Sequence, residues 1–404
     1  MKRIMIEILL FILAGILLTG CGSVRSSRDG GTAGENAAVR SSLIPGDGKS
    51  EVQSGHRWGN DANYYTASKY GTELFQYDLK WNVVNTIEME ISQVLWVTDQ
   101  WIYYETLEGE EYESCLWRVP IESTRKGDRV KKKEKERLFR RYDMEIVHAT
   151  DTCLILYIEH ENEEGGIYRY ELDCGRWTEL LRRREPENIN IVYDNNTDDP
   201  VVMNGELLME ENGKLICLDL DTGKESKVYA CHERDTMVEG VRSGKDFYFL
   251  DDNDLCQYDS SDKRVSCLIT EKSFREAVRR TGENKFVESC DEIYLEGGKL
   301  YIEDTTGEKR KNGKGQEVIY YRTELYSAPV KNPGQISRED ILLDYLDQAG
   351  TYEWAQEEKC FEHTSGIDDV IDGNVVADYP VESGCYETIT YDLETKKVKK
   401  VRDD

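Results

Sequence analysis

The sequence is poor in proline, histidine and net positive charge. Only 7 of its 404 residues are Pro and 5 are His, and 52 Lys and Arg face 80 Asp and Glu, a formal balance of −28. That excess of acid excludes a nucleic-acid binder, because phosphate contacts need a basic surface. The histidines stand at His56, His148, His160, His232 and His363 without any metal-ligand spacing. There is no Gly-x-Ser-x-Gly elbow and no glycine loop of the kind that cradles phosphate. The cysteines include no Cys-x-x-Cys pair, which removes zinc-knuckle and dithiol redox motifs. No cofactor is expected. What the chain does have is 39% hydrophobic residues, 10% aromatics and 25 Tyr, enough material for a folded core. Its length suits two or three domains or one large repeat architecture.

The one long apolar run is at the start. Lys2 and Arg3 precede an almost wholly apolar stretch over residues 4–18, interrupted by Glu7. Fifteen residues fall short of the roughly 20 a membrane span needs, and they match the h-region of a signal peptide. The run ends Leu18-Thr19-Gly20-Cys21. This resembles the lipobox of bacterial prolipoproteins, in which small residues precede a cysteine that is lipidated and becomes the mature N-terminus. The resemblance implies cleavage after residue 20 and palmitate-type acyl chains on Cys21. It also implies attachment to the extracytoplasmic face of the cell membrane through an N-terminal lipid. Two acyl chains anchor durably where one is marginal.

Residues 22–59 are rich in Ser, Gly and Arg and show no apolar period. Such a stretch buries too little surface to offset its ordering entropy. As a flexible coil it reaches on the order of 30–35 Å. The domain reading is therefore a lipoprotein signal peptide over 1–20, a lipid-anchored tether over 21–59 and a repeat domain over 60–404.

Within the repeat domain one strand-like string recurs. It appears as Leu74-Phe75-Gln76-Tyr77-Asp78-Leu79, Leu116-Trp117-Arg118-Val119-Pro120-Ile121 and Ile167-Tyr168-Arg169-Tyr170-Glu171-Leu172, and again from Leu215, Leu255, Leu325 and Thr388. The spacing is roughly 40–50 residues, widening to about 60–70 at the last two copies; periods in the forties are a propeller signature. A second apolar run precedes most copies, a third strand often follows, and a fourth opens several units. The predicted fold is all-β, a seven-bladed β-propeller of four-stranded antiparallel blades. The string Leu218-Asp219-Leu220-Asp221-Thr222-Gly223-Lys224 resembles quinoprotein-like propeller repeats, and Leu95-Trp96-Val97-Thr98-Asp99 resembles the Tyr-Trp-Thr-Asp propellers of lipoprotein receptors. As a whole the chain is similar to uncharacterised propeller lipoproteins of Gram-positive bacteria, a likeness that transfers no functional residue. Asp219 to Lys224 is read as a hairpin turn rather than a calcium loop, because Asp259 and Asp392 begin turns at the same place in other copies.

Charge sorts with strand connectivity. Segments between second and third strands are acidic. Those between third and fourth lean basic, above all residues 124–141, with ten Lys or Arg against three acids. The turn Lys131-Lys132-Lys133-Glu134-Lys135 is the expected contact with an anionic surface, carried by Lys131, Lys132, Lys133 and Lys135. The insert Lys309-Arg310-Lys311 falls on the opposite, acidic side. Three insertions share that side. Ser273-Phe274-Arg275-Glu276 reads as a capping box opening a helix that closes near Gly282. Ser337-Arg338-Glu339-Asp340 opens a second helix, or else residues 341–346 form a strand. The segment 347–367 carries Tyr352, Trp354, Phe361 and His363 among carboxylates, and it is the expected binding sector. A four-residue turn places Cys256 opposite Cys267, a geometry that admits a disulfide.

The functional expectation is a membrane-anchored scaffold that binds a protein or glycan ligand. The alternatives are a polysaccharide-active enzyme working through paired carboxylates and a sensor or accessory subunit of an envelope complex.

Overall fold

The computed structural model describes residues 63–400, apart from 69–70, 78–82, 109–112, 125–128, 141–143, 161–163, 184–189, 198, 232–237, 239, 312, 356–359, 372 and 383–384. The signal peptide, Cys21 and the tether lie outside the described residues. All described residues belong to one compact unit, 39–402, and none of their helices is long and apolar enough to cross a membrane.

Among the described residues the fold is all-β, with seven sheets in chain order. The first contains Tyr64–Ala67, Glu73–Tyr77 and Val83–Glu88. The second runs from Gln93–Val97 to Glu136–Arg140, the third from Met144–Ala149 to Arg176–Arg183, and the seventh from Gly366–Ile371 to Lys397–Lys400. Those three are plain four-stranded antiparallel meanders. Each recurrent string lies in a different sheet, on the third strand of the meander in all but the first.

The fourth, fifth and sixth sheets depart from four strands because insertions add short ones, and the first has three among the described residues. Residues 190–203 break into two-residue strands shared between sheets. Asn190–Ile191 and Val202–Met203 pair with Glu206–Glu210 in the fourth, while Tyr193–Asp194 and Asp199–Pro200 extend the fifth beside Gly240–Ser243. The sixth is built on three long strands, Lys285–Glu296, Lys299–Lys311 and Glu317–Pro329. It gains Ser337–Arg338 and the hairpin of Tyr352–Ala355 and Cys360–His363, which joins parallel to 317–329 at Tyr320 and Tyr321.

Burial on both faces explains why the middle strands read as apolar runs. Side chains alternate across a strand. In Glu206–Glu210, Leu207 and Met209 enter a cluster with the third sheet, and Leu208 enters one with the fifth. Ile216 and Leu218 divide from Leu215 and Cys217 in the same way. Among the described residues six such clusters occur, one between each pair of consecutive sheets. Fully burying a Leu, Ile or Phe stabilises by about 1.5–3 kcal/mol, so these layers dominate the fold.

Two helices fill gaps between sheets. Helix α1 (Glu271–Thr281) is capped by Thr270, whose side chain accepts from the Ser273 backbone N–H. The expected cap, Ser273, thus lies inside the first turn; an extended residue with a free hydroxyl stands three positions earlier and takes that role. Phe274 and Val278 pack between the fifth and sixth sheets. Helix α2 (Asp340–Ala349) settles the alternative between helix and strand over 341–346, and Leu342, Leu343 and Leu346 enter the core between the sixth and seventh sheets.

Turns repeat one device. The Asp219 carboxylate accepts from the backbone N–H of Asp221 and Thr222 and from the Thr222 hydroxyl, at 3.1, 2.7 and 2.8 Å. Asp259 and Asp392 hold their turns likewise, through Ser261 and Thr395. These oxygens are spent on turn amides, which is the hairpin reading of the sequence. Gly223 follows with φ +68, and a Cβ there would lie 2.6 Å from the Leu180 carbonyl oxygen.

Candidate functional site

The 299–329 hairpin is longer than its neighbours in the sheet, and its outer end needs lateral cover. The 352–363 hairpin supplies it through the parallel pairing at Tyr320 and Tyr321. Alternation then sets rings on one face. Tyr320 stacks on Phe361 with centroids 4.7 Å apart and planes 11° from parallel, and Tyr352 meets Tyr320 edge-on at 5.1 Å. Trp354 stands against Phe361 at 5.0 Å and 64°. The Arg310 guanidinium lies 4.8 Å from the Tyr320 ring and 5.3 Å from that of Tyr352, held by Glu308 at 2.7 Å. Tilted ring pairs and a cation over a ring face are favoured arrangements.

Beside these rings opens a cleft of ≈ 700 Å³, lined by Lys311, Gly313, Gln316, Glu317, Val318, Tyr320, Trp354 and Phe361. Trp354 is 48% exposed, unusual for so large an apolar side chain on a strand. Of the four residues expected from sequence, Trp354 and Phe361 line the cleft and Tyr352 backs it. His363 stands behind Tyr352 at 4.8 Å, with its Nδ1 2.6 Å from the Ser365 hydroxyl. Burial pulls the His363 ring below the usual histidine range. Sequence reasoning missed Tyr320, Gln316 and Glu317. The basic insert Lys309-Arg310-Lys311 was noticed but not joined to the aromatic segment. The missing signal was the alternation Val318, Tyr320, Arg322 continuing the strand outward from Leu325.

Inward from the cleft the same strand carries a buried charge network. Glu324 is fully buried and accepts from Lys285 at 2.7 Å, from Arg322 Nε at 2.7 Å and from Arg338 Nε at 3.0 Å, with the Tyr326 hydroxyl donating at 2.6 Å. Burial alone would raise its carboxyl; the three cations outweigh it and hold it at about 2. Arg322 also reaches Asp347, in the last turn of α2. Asp304, equally buried, takes only the Thr306 hydroxyl on one oxygen and has no partner on the other. Burial pushes it up to about 8, with Glu324 adding to the effect.

Carboxylates also gather on the first two strands of this sheet. The Tyr294 hydroxyl lies 2.5 Å from Glu292 and 3.2 Å from Glu303. Burial and the Glu292 charge raise Glu303 to about 8. Among the described residues no group of three or more His, Cys, Asp or Glu could hold a metal ion. His148 packs edge-on against Trp96, its ring pushed down to about 4 by burial and by Arg242.

The remaining sequence candidates lie elsewhere. Lys131 to Lys135 surround a short 3-10 turn, Lys132–Glu134, closed by the Lys131 N–H donating to Glu134 at 3.0 Å. Lys131 and Lys133 are exposed, but Lys135 is half-buried, and burial lowers its ammonium. Cys256 and Cys267 are direct partners across their hairpin, and both are free thiols. Cys256 is buried, which pushes its thiol up to about 12, whereas Cys267 is exposed.

No family model matches the sequence, and no curated protein matches it. Solved structures similar to the chain include the β-propeller domain of the Trilobed protease from Pyrococcus furiosus, titled as having an open velcro topology. It is 13% identical, with 84% of this chain and 93% of that chain covered at a TM-score of 0.40. An uncharacterized protein from Listeria monocytogenes EGD-e is 9% identical over 77% of this chain and 82% of its own, also at 0.40. Oligopeptidase B from Leishmania major is 10% identical over 89% of this chain and 49% of its own, at 0.46. At such identities and scores no residue role passes from them to this chain.

Proposed function

We propose that the protein is a lipid-anchored extracytoplasmic scaffold whose seven sheets form the blades of a β-propeller, and that it binds a ligand in the cleft beside Trp354. Six apolar layers between consecutive sheets support the propeller reading, and the Thr19-Gly20-Cys21 sequence supports the anchor. The observation that carries the binding role is the ring cluster. Trp354 is left half in solvent against Phe361, which in turn stacks on Tyr320, on strands that fix its direction. Pre-formed concave sites with a few convergent polar groups are the usual ligand pockets. Exposed Lys131 and Lys133 are the natural second contact, toward anionic headgroups or wall polymers.

The test compares wild type and Trp354→Ala in two captures: pull-down of the lipidated protein from solubilised membranes, and a glycan array with the soluble body. A ligand bound by wild type and lost from the variant, with an unchanged circular dichroism spectrum, is the expected result. Identical capture by both forms would refute the cleft. A stoichiometric protein partner lost with Trp354 would instead favour an accessory subunit of an envelope complex.

One observation favours a second reading, a polysaccharide-active enzyme. Burial and the Glu292 charge raise Glu303 to about 8, so this carboxyl keeps its proton at neutral pH, with the Tyr294 hydroxyl reaching both acids. Turnover of a wall glycan abolished by Glu303→Gln would establish it, and a negative screen would dismiss it.

A further inference from the structure

Resting on the reading of the cleft as a binding site, we infer that its ligand is an anionic saccharide: a sugar ring packs in the corner between Trp354 and Phe361, and its acidic group is held by Lys311.

The argument begins with charge. The chain carries a formal −28, yet the hairpin end beside the cleft, residues 308–317, holds Lys309, Arg310, Lys311 and Lys314 against Glu308 and Glu317. Those two acids are engaged locally: Glu308 pairs with Arg310 at 2.7 Å, and Glu317 lies 3.7 Å from Lys309. Lys311 is exposed and lines the cleft. A cationic hairpin end on an acidic body draws anions toward Lys311.

The walls give the second part. Two rings meeting at 64° with centroids 5.0 Å apart form a corner rather than a flat slot. The C–H face of a pyranose is apolar and slightly positive, which matches the negative face of an aromatic ring. Gln316 and Glu317, at the cleft's edge, offer acceptors and donors for hydroxyls. An extended peptide fits less well. The sheet edge here is Tyr352–Ala355, only four residues long, too short for the backbone ladder on which strand addition depends. Arg310, tied to Glu308 and laid over Tyr320 and Tyr352, is a positioning residue that keeps the rings in place.

The experiment is calorimetric titration of the whole soluble body with three trisaccharides: a galacturonate, its methyl ester, and one of uncharged sugars carrying a single phosphate. Proteins are wild type, Trp354→Ala, Lys311→Gln and, as a distant charge control, Lys272→Gln. We expect wild type to prefer an acidic form over its neutral counterpart by about tenfold or more, the size of one charge-assisted hydrogen bond. Lys311→Gln should erase that preference, Trp354→Ala should weaken acid and ester alike, and Lys272→Gln should match wild type. Which acidic arm binds tells carboxylated from phosphorylated sugars. Equal affinity for the ester and both acidic trisaccharides, unchanged in Lys311→Gln, would overturn the anionic assignment while leaving the cleft as a saccharide site. Binding of none of the three would also overturn it; the cleft itself fails only if Trp354→Ala leaves the captures described above unaltered.

Discussion

In the fourth sheet the strands Glu206–Glu210 and Lys214–Asp219 put Leu207, Leu208, Met209, Leu215 and Leu218 into the layers on either side. In the sixth, the strand at the same place in the meander puts Glu324 there, fully buried, flanked by Arg322 and Tyr326 and facing Lys285 and Arg338. The fourth sheet is held by non-directional burial, which tolerates small shifts. The sixth has apolar layers on both sides too, but adds fixed hydrogen-bonded charges, which cost desolvation and tolerate little. It is also the sheet with the longest strands, and it carries the cleft. A network linking its first and third strands, Ser337–Arg338 and α2 through Asp347 gives that extension a rigid root.

The sharpest way to break this contrast is Glu324→Gln, which keeps the volume and removes the charge. Lys285 then loses its counter-ion, Arg322 and Arg338 keep only the more exposed Asp347 and Asp340, and about 3–5 kcal/mol of stability should go, read from urea unfolding. A loss under about 1 kcal/mol would mean that the network is not a structural root.

Next in size is the pH dependence of the same sheet. Asp304 is raised to about 8 in the folded state against about 3.9 when unfolded. Its contribution is therefore full below about pH 4 and lost as pH rises to about 8. Glu324, at about 2, works oppositely: its contribution is present above about 4.3 and lost as pH falls toward 2. Asp304→Asn should flatten the decline between pH 5 and 8, so that the variant gains on wild type most at pH 8. Parallel unfolding curves for the two proteins across that range would contradict the assignment.

The smallest effect belongs to the repeated turns. Asp219→Ala removes the acceptor of three short-range hydrogen bonds and should cost about 1 kcal/mol, with no change in ligand capture. A cost comparable to that of Glu324→Gln would erase the distinction between the two sheets.

Much of the meander was legible because period-two burial is a local property. The strings from Leu215, Leu255 and Thr388 mark third strands, and Asp219, Asp259 and Asp392 mark their turns, all within a dozen residues of chain. The cleft was half legible. Trp354 and Phe361 stood out as large rings among carboxylates, but Tyr320 lies more than thirty residues upstream, and only parallel pairing brings it to Phe361. The charge network was not legible at all. Lys285, Glu324 and Arg338 look like ordinary surface charges in a chain with 33% charged residues, and the strand edges that collect them are not adjacent in sequence.

By itself, then, the amino-acid order determined the all-β character, the seven strand units and the Asp-led turns, because alternation and turn chemistry act over a few residues. The tertiary structure decided which charges are buried together, how α1 and α2 close the layers around the sixth sheet, and which rings form the cleft. Those outcomes depend on contacts between segments far apart in the chain, whose geometry exists only once the sheets have packed.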